Sequence, residues 1–138
     1  LNLAIALVCK NTKTFTSCFP ASNSEQNRYP VSENVEWTTG FWTGQIWMAY
    51  EALKAGGNVG SENLDNTEAK LEDLLHAGSE QIDSFLDRII VRQDVDHHDM
   101  GFLYTPSCVA GYSLTGNETG KKAALLAADN LMDRFQEK

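Results

Sequence analysis

Residues 94–102 read Asp-Val-Asp-His-His-Asp-Met-Gly-Phe, so three aspartates and two adjacent histidines crowd ahead of an aromatic. Three uses fit such a set. Histidine nitrogens and carboxylate oxygens together can ligate a divalent metal. A single carboxylate held in a cleft can serve as a general acid or base. An aspartate can also merely cap the helix that the next apolar residues announce, with the histidines left in solvent. A second chemistry-bearing stretch precedes it: Trp37, Phe41, Trp42 and Trp47 lie within eleven residues. A ring of this kind stacks on the apolar face of a sugar, while a carboxylate accepts hydrogen bonds from its hydroxyls. Trp42 and Trp47 are five apart and cannot share a helix face. Trp47, beside Ile46 and Tyr50, reads as core. Trp42, at the mouth of its helix, reads as the sugar platform, with Trp37 on the preceding loop as a second candidate.

The elements that must position these residues are helices. Residues 1–10 can form one, and 11–37, polar and holding Pro20 and Pro30, read as a long loop. A helix is expected from Gly40 to Ala55, capped by Thr38 or Thr39 and stopped by Gly56-Gly57. Leu71, Leu74, Leu75, Gly78, Ile82, Phe85, Leu86 and Ile89 follow steps of three and four, the stripe of an amphipathic helix. Asp65 with Glu68 resembles a capping box at its start. Thr105-Pro106 suits a cap and first position for a helix ending at Gly116. Asn117 or Thr119 opens a last helix, whose expected face is Ala124, Ala127, Ala128, Leu131 and Phe135.

A loose repeat relates 40–58 to 101–118: Gly-Phe at the entrance, Ala and Tyr in the middle, Gly-Asn at the exit. The offset leaves room for two helices, so the unit is a helical hairpin. In an up-down array alternate helices run the same way. The helices that start near 40 and near 102 should therefore present their N-termini at one rim, bringing the aromatics and the Asp99 carboxylate together. A helix N-terminus also favours the ionised form of that carboxylate.

Several classes are excluded or disfavoured. A net charge of −8 opposes nucleic-acid binding, which depends on neutralising phosphates. It also obliges an anionic substrate to find a local basic or hydrogen-bonding pocket. No nucleophile elbow, P-loop or dinucleotide fingerprint occurs. Cys9, Cys18 and Cys108 are an odd number without metal or redox spacing, which suggests reduced thiols and a cytoplasmic setting. Cys108 falls within a helix without a basic neighbour, so no nucleophilic role is expected. The apolar run at 1–8 is too short to span a bilayer, and it lacks the flanks of a signal peptide. His97-His98-Asp99 resembles the His-Asp pair of HD-type phosphohydrolases, which need two more ligands, here His76 and Asp129 or Asp133. The flanks, Asp96 before the pair and Phe102 after its Gly, depart from that family, so no metal is expected.

"NVEWTTGFWTGQIWMAYE" followed by "HHDMGFLYTPSCVAGYSLTGNETGKKAALLAADNLMDRF" resembles the N-terminal part of the unsaturated glucuronyl hydrolases, a glycoside hydrolase family. The resemblance runs from about Phe19-Pro20 to Lys138 and implies an all-α fold, helical hairpins forming part of an (α/α)6 toroid. Residues 1–138 would then be a single partial domain. It implies no metal or nucleotide cofactor. The implied substrate is an oligosaccharide ending in a 4,5-unsaturated uronic acid, cleaved by hydration of its vinyl ether. Residue by residue it makes Asp99 one of two key aspartates, Trp42 an aromatic at the substrate and His98 a polar neighbour in the site. The family's other aspartate, its proton donor and base, has no counterpart before Lys138. The chain by itself is accordingly expected to be inactive and to self-associate through uncovered helix faces; the alternative reading is a non-catalytic helical module that binds a carbohydrate or a protein partner through the same rim.

Overall fold

A computed structural model describes residues 1–56 and 67–135. The helices are α1 (Asn2–Thr12), α2 (Thr39–Lys54), α3 (Thr67–Ile90), α4 (Met100–Tyr104), α5 (Ala110–Thr115) and α6 (Glu118–Asp133). A π-helical turn, Thr105–Val109, joins α4 to α5. The long 11–37 loop is tied by a two-residue antiparallel ladder, β1 (Phe19–Pro20) on β2 (Val31–Ser32), with Phe19 opposite Ser32. The two-residue ladder leaves the expected all-α character intact.

α2 packs against α1 and α3, α3 against α6, and the π turn against α2 and α6. Ile46, Leu74, Ile82 and Phe85 are fully buried between these elements. Each contributes roughly 1.5–3 kcal/mol through removal of apolar surface from water. Trp47, 1% exposed, is the core residue expected; its indole N–H donates to the Ser107 carbonyl at 2.8 Å. Small residues make room for its ring. A β-carbon added at Gly78 or Gly111 would collide with it.

Three expectations are corrected. The helix expected from Thr105 begins earlier, at Met100, and Pro106 sits inside it. Proline has no N–H to give the carbonyl four residues back, Phe102, and the backbone widens there into a π turn. The buried face of α6 is Gly120, Ala123, Ala127 and Asn130, rotated from the predicted stripe, so that Ala128 and Phe135 are exposed. The buried face of α3 includes two polar residues absent from its apolar stripe, Gln81 and Arg88. Gln81 donates to the carbonyls of Phe15 and Cys18 and accepts from the Thr43 hydroxyl, so it staples the loop to α2 and α3.

The caps follow sequence chemistry in part. Asn117 caps α6, accepting from the Gly120 amide at 2.9 Å. Gly116, at φ +75°, turns out of α5 in the left-handed region that glycine favours. Thr38 occupies the N-cap position of α2 without a side-chain cap bond. Asp65 and Gly57, expected as cap and stop, lie outside the described residues.

Candidate active site

The shared rim follows from a close backbone contact. Gly40, in the first turn of α2, lies against the carbonyls of Phe102 and Leu103 in α4, where a β-carbon would not fit. That contact sets the starts of α2 and α4 side by side, as helix parity requires. The second residues of the two repeat units, Phe41 and Phe102, meet with ring centroids 5.8 Å apart. Trp37 completes the group, 6.1 Å from Phe41 and 6.4 Å from Phe102. All three rings are 41–51% exposed. Rings paired this way contribute about 0.5–1.5 kcal/mol each beyond area burial, while their outer faces stay open.

Asp99 stands one turn ahead of Phe102, whose amide donates to the Asp99 carbonyl at 2.9 Å. Its carboxylate occupies the N-cap position of α4 but makes no cap hydrogen bond, so capping does not account for it. Oδ1 lies 3.3 Å from His98 Nε2 and Oδ2 3.9 Å from His97 Nδ1. The Asp99 side chain is 21% exposed and the His98 ring 91%. The other two aspartates are engaged elsewhere. Asp94 pairs with Arg88 at 3.1 Å and Asp96 with Arg134 at 3.3 Å.

Trp42, the platform expected from sequence, is only 5% exposed. Its indole N–H donates to the Phe15 carbonyl at 3.0 Å and the Phe15 ring meets it edge-on. The loop returns over the helix mouth and covers it. Trp42 lines part of a cleft of about 320 Å³ with Phe41 and Tyr29, and part of another of about 370 Å³ with residues of α1. The rings with open faces are Trp37, Phe41 and Phe102. The recurring Gly-Phe pair was the sequence signal for two of them.

A larger cavity of about 590 Å³ lies beside Arg88, but Glu33, Glu80, Asp83 and Asp87 line it, which suits an anionic ligand poorly. His76, Asp129 and Asp133 are all exposed, and among the described residues no three His, Cys, Asp or Glu side chains gather as metal ligands would. Cys108 is fully buried, and burial pushes its thiol up to about 12. Such a thiol is no nucleophile at neutral pH. Among the described residues no helix is long and apolar enough to cross a membrane.

The structure places a part-exposed carboxylate and a cluster of open aromatic rings at the mouths of neighbouring helices, and known proteins share the helical scaffold. No protein-family model matches the chain. An unsaturated chondroitin disaccharide hydrolase of Streptococcus pneumoniae is 42% identical over 93% of the chain and 28% of its own length. An unsaturated glucuronyl hydrolase of Bacillus sp. strain GL1 is 34% identical over 96% of the chain and 31% of its own length. Among solved structures, a mutant unsaturated glucuronyl hydrolase from Streptococcus agalactiae complexed with dGlcA-GalNAc6S superposes with a TM-score of 0.75. It is 39% identical and covers 97% of the chain, which covers 32% of it. The Bacillus sp. GL1 enzyme gives a TM-score of 0.77 at 32% identity, covering 96% of the chain, with 31% of its own length covered.

The fold is that of part of an α/α toroid. Sequence and fold make the chain a homologue of the unsaturated glucuronyl hydrolases over the part of their length that it spans, a little under one third.

Proposed function

We propose that the chain forms one rim of the active site of an unsaturated glucuronyl hydrolase. The enzyme removes 4,5-unsaturated glucuronic acid from the non-reducing end of glycosaminoglycan oligosaccharides left by lyases. The observation that carries this reading is the close backbone contact that sets the mouths of α2 and α4 side by side, one bearing the open rings of Trp37 and Phe41 and the other Phe102 with the uncapped, part-exposed Asp99 one turn ahead of it.

In this reading the ring cluster holds an apolar sugar face, and Asp99 accepts hydrogen bonds from hydroxyls of the unsaturated ring. His98, 3.3 Å from Asp99 Oδ1, is the polar neighbour at the same edge. Trp42 acts through the cleft wall that it forms beside Phe41. The reaction hydrates the vinyl ether. A proton adds at C4, positive charge develops at C5 and the ring oxygen, and water adds at C5. The hemiketal so formed opens with loss of the glycosidic bond. Protonating carbon demands a well-placed acid with a suitable pKa. Asp94 pairs with Arg88 and Asp96 with Arg134, and this reading assigns that acid to a second carboxylate elsewhere in the protein. Asp99, at the start of α4, sits where the helix dipole supports negative charge as the oxocarbenium-like centre forms. Three free thiols support a cytoplasmic setting. The apolar residues left open on α1 and α6, among them Leu3, Leu7, Leu125 and Met132, support self-association of the chain when it is isolated.

The test is turnover of an unsaturated chondroitin disaccharide by the full-length protein, followed as loss of the ultraviolet absorbance of the conjugated uronate. Asp99→Asn should lower kcat by about 10²–10³-fold with the melting temperature unchanged. Undiminished turnover in Asp99→Asn would remove Asp99 from the mechanism.

A further inference from the structure

Among the described residues Arg88 is the one charged side chain that is buried, at 2% exposure. A buried guanidinium is tolerated where its donors are all met. Here the partners belong largely to two loops. Nη1 donates to Asn34 Oδ1 at 3.0 Å and Thr39 Oγ1 at 3.3 Å, and Nη2 to the Glu36 carbonyl at 2.9 Å. These residues frame the loop that carries Trp37. Nη2 also donates to the Asp94 carbonyl at 2.7 Å and to Asp94 Oδ2 at 3.1 Å, while Nε reaches the Gln93 carbonyl at 3.3 Å. These residues begin the loop that ends at Asp99. The loops are also joined directly, by the Glu36 amide donating to Asp94 Oδ2 at 2.5 Å.

Both loops are strained at the clamp. Glu36, Arg92 and Asp94 have φ of 61°, 55° and 48°, left-handed values that side chains other than glycine resist. Such conformations persist where surrounding contacts over-determine them, and they concentrate at functional sites. Beyond Asp94 the chain of contacts continues to Asp99. The Asp94 carbonyl, already bound to Arg88, lies 3.0 Å from His97 Nε2. A carbonyl accepts only, so that nitrogen carries the ring proton. His97 Nδ1 is then left as the acceptor for the Asp99 amide, 3.2 Å away.

We propose that Arg88 is a positioning residue of the active site, fixing the Trp37 loop through Glu36 and the Asp99 backbone through Asp94 and the Nε2-protonated form of His97. The proposal rests on the reading that Trp37 and Asp99 face the substrate. One buried fork thereby sets the spacing between the aromatic and the carboxylate halves of the rim. Lysine keeps the charge but replaces the planar fork with a point charge, so it cannot hold both loops at once.

The experiment uses the full-length protein, its Arg88→Lys and Asp94→Asn variants, and an unsaturated chondroitin disaccharide. Three quantities are read: kcat and KM, the long-range proton–nitrogen spectrum of His97, and helix content by circular dichroism. Arg88→Lys should keep its helix content, lose at least tenfold in kcat and show His97 as a mixture of tautomers. Asp94→Asn, at a half-exposed side chain whose replacement tolerates a positive φ, should lose about threefold in kcat. The proposal is overturned if Arg88→Lys keeps kcat within twofold. It is equally overturned if the unmutated protein carries the His97 proton on Nδ1, a result readable even where Arg88→Lys does not fold. A protein that does not act on the disaccharide refutes the proposed activity instead. The His97 spectra of the two variants then decide the clamp alone.

Discussion

Trp47 and Trp37 lie ten residues apart, and the molecule treats them in opposite ways. Around Trp47 every demand of the ring is met within the protein. Its N–H has a carbonyl, Tyr50 meets it edge-on, and two glycines make space for its face. Around Trp37 the rings satisfy only one another and leave nearly half their surface to solvent. Close packing makes the first ring a structural residue. Incomplete packing, held in place by backbone contacts beneath, makes the second ring available to a ligand. Burial of polar groups follows the same division. Gln81 and Arg88 are satisfied by fixed partners, whereas the Asp99 carboxylate is left without a capping bond.

The comparison can be broken most severely at Gly78. Alanine there would drive a methyl group into the Trp47 ring, which cannot move without losing its bond to Ser107. A loss of about 3 kcal/mol in denaturant unfolding is expected, with the rim unchanged. An alanine variant as stable as the parent would show that the core around Trp47 is loose. A second strike at the interior uses pH. Burial raises the Cys108 thiol from 9.0 to about 12, so the folded state holds a proton that the unfolded state releases. Stability should be fully present below pH 9 and fall as pH rises toward 12, by up to about 1.4 kcal/mol per unit. Cys108→Ala should flatten that slope in thermal melts taken across the range. The mildest change belongs to the rim. Trp37→Ala should cost about 1 kcal/mol of substrate binding, roughly a fivefold rise in KM, and about 1–2 kcal/mol of stability as its two ring contacts are lost. A large fall in melting temperature with KM unchanged would make Trp37 a core residue after all.

The helices, their order and the common rim were legible because they depend on local periodicity and on parity. Steps of three and four located α3, and the repeated Gly-Phe pairs marked the two helix mouths that meet. Less was legible where distant segments decide. Trp42 stands at a helix mouth by any local reading, yet Phe15, twenty-seven residues earlier, closes over it. Arg88 interrupts an apolar stripe, and its partners at 34–39 are more than forty residues away in sequence. Pro106 looked like the first residue of a helix because proline is favoured there. The repeated Gly-Phe pair pointed to a start near 102, and the observed start at Met100 agrees with it rather than with the proline signal. Of the clustered titratable residues, Asp99 was distinguished from Asp94 and Asp96 by family likeness. In the structure Asp94 and Asp96 pair with Arg88 and Arg134, while Asp99 lies beside His97 and His98.

The π turn at Thr105–Val109 has one further effect. An additional residue in a helical turn advances everything after it by about 100° around the axis. The segment from Met100 to Thr115 therefore keeps one direction but changes its angular phase midway. Along that rod Met100, Leu103 and Tyr104 are buried before the turn, Ser107 and Cys108 within it and Gly111 after it, while Phe102 stays at the rim beside Trp37. A single rod thus addresses two audiences, the sealed interior along its whole length and the solvent rim at its mouth through Phe102.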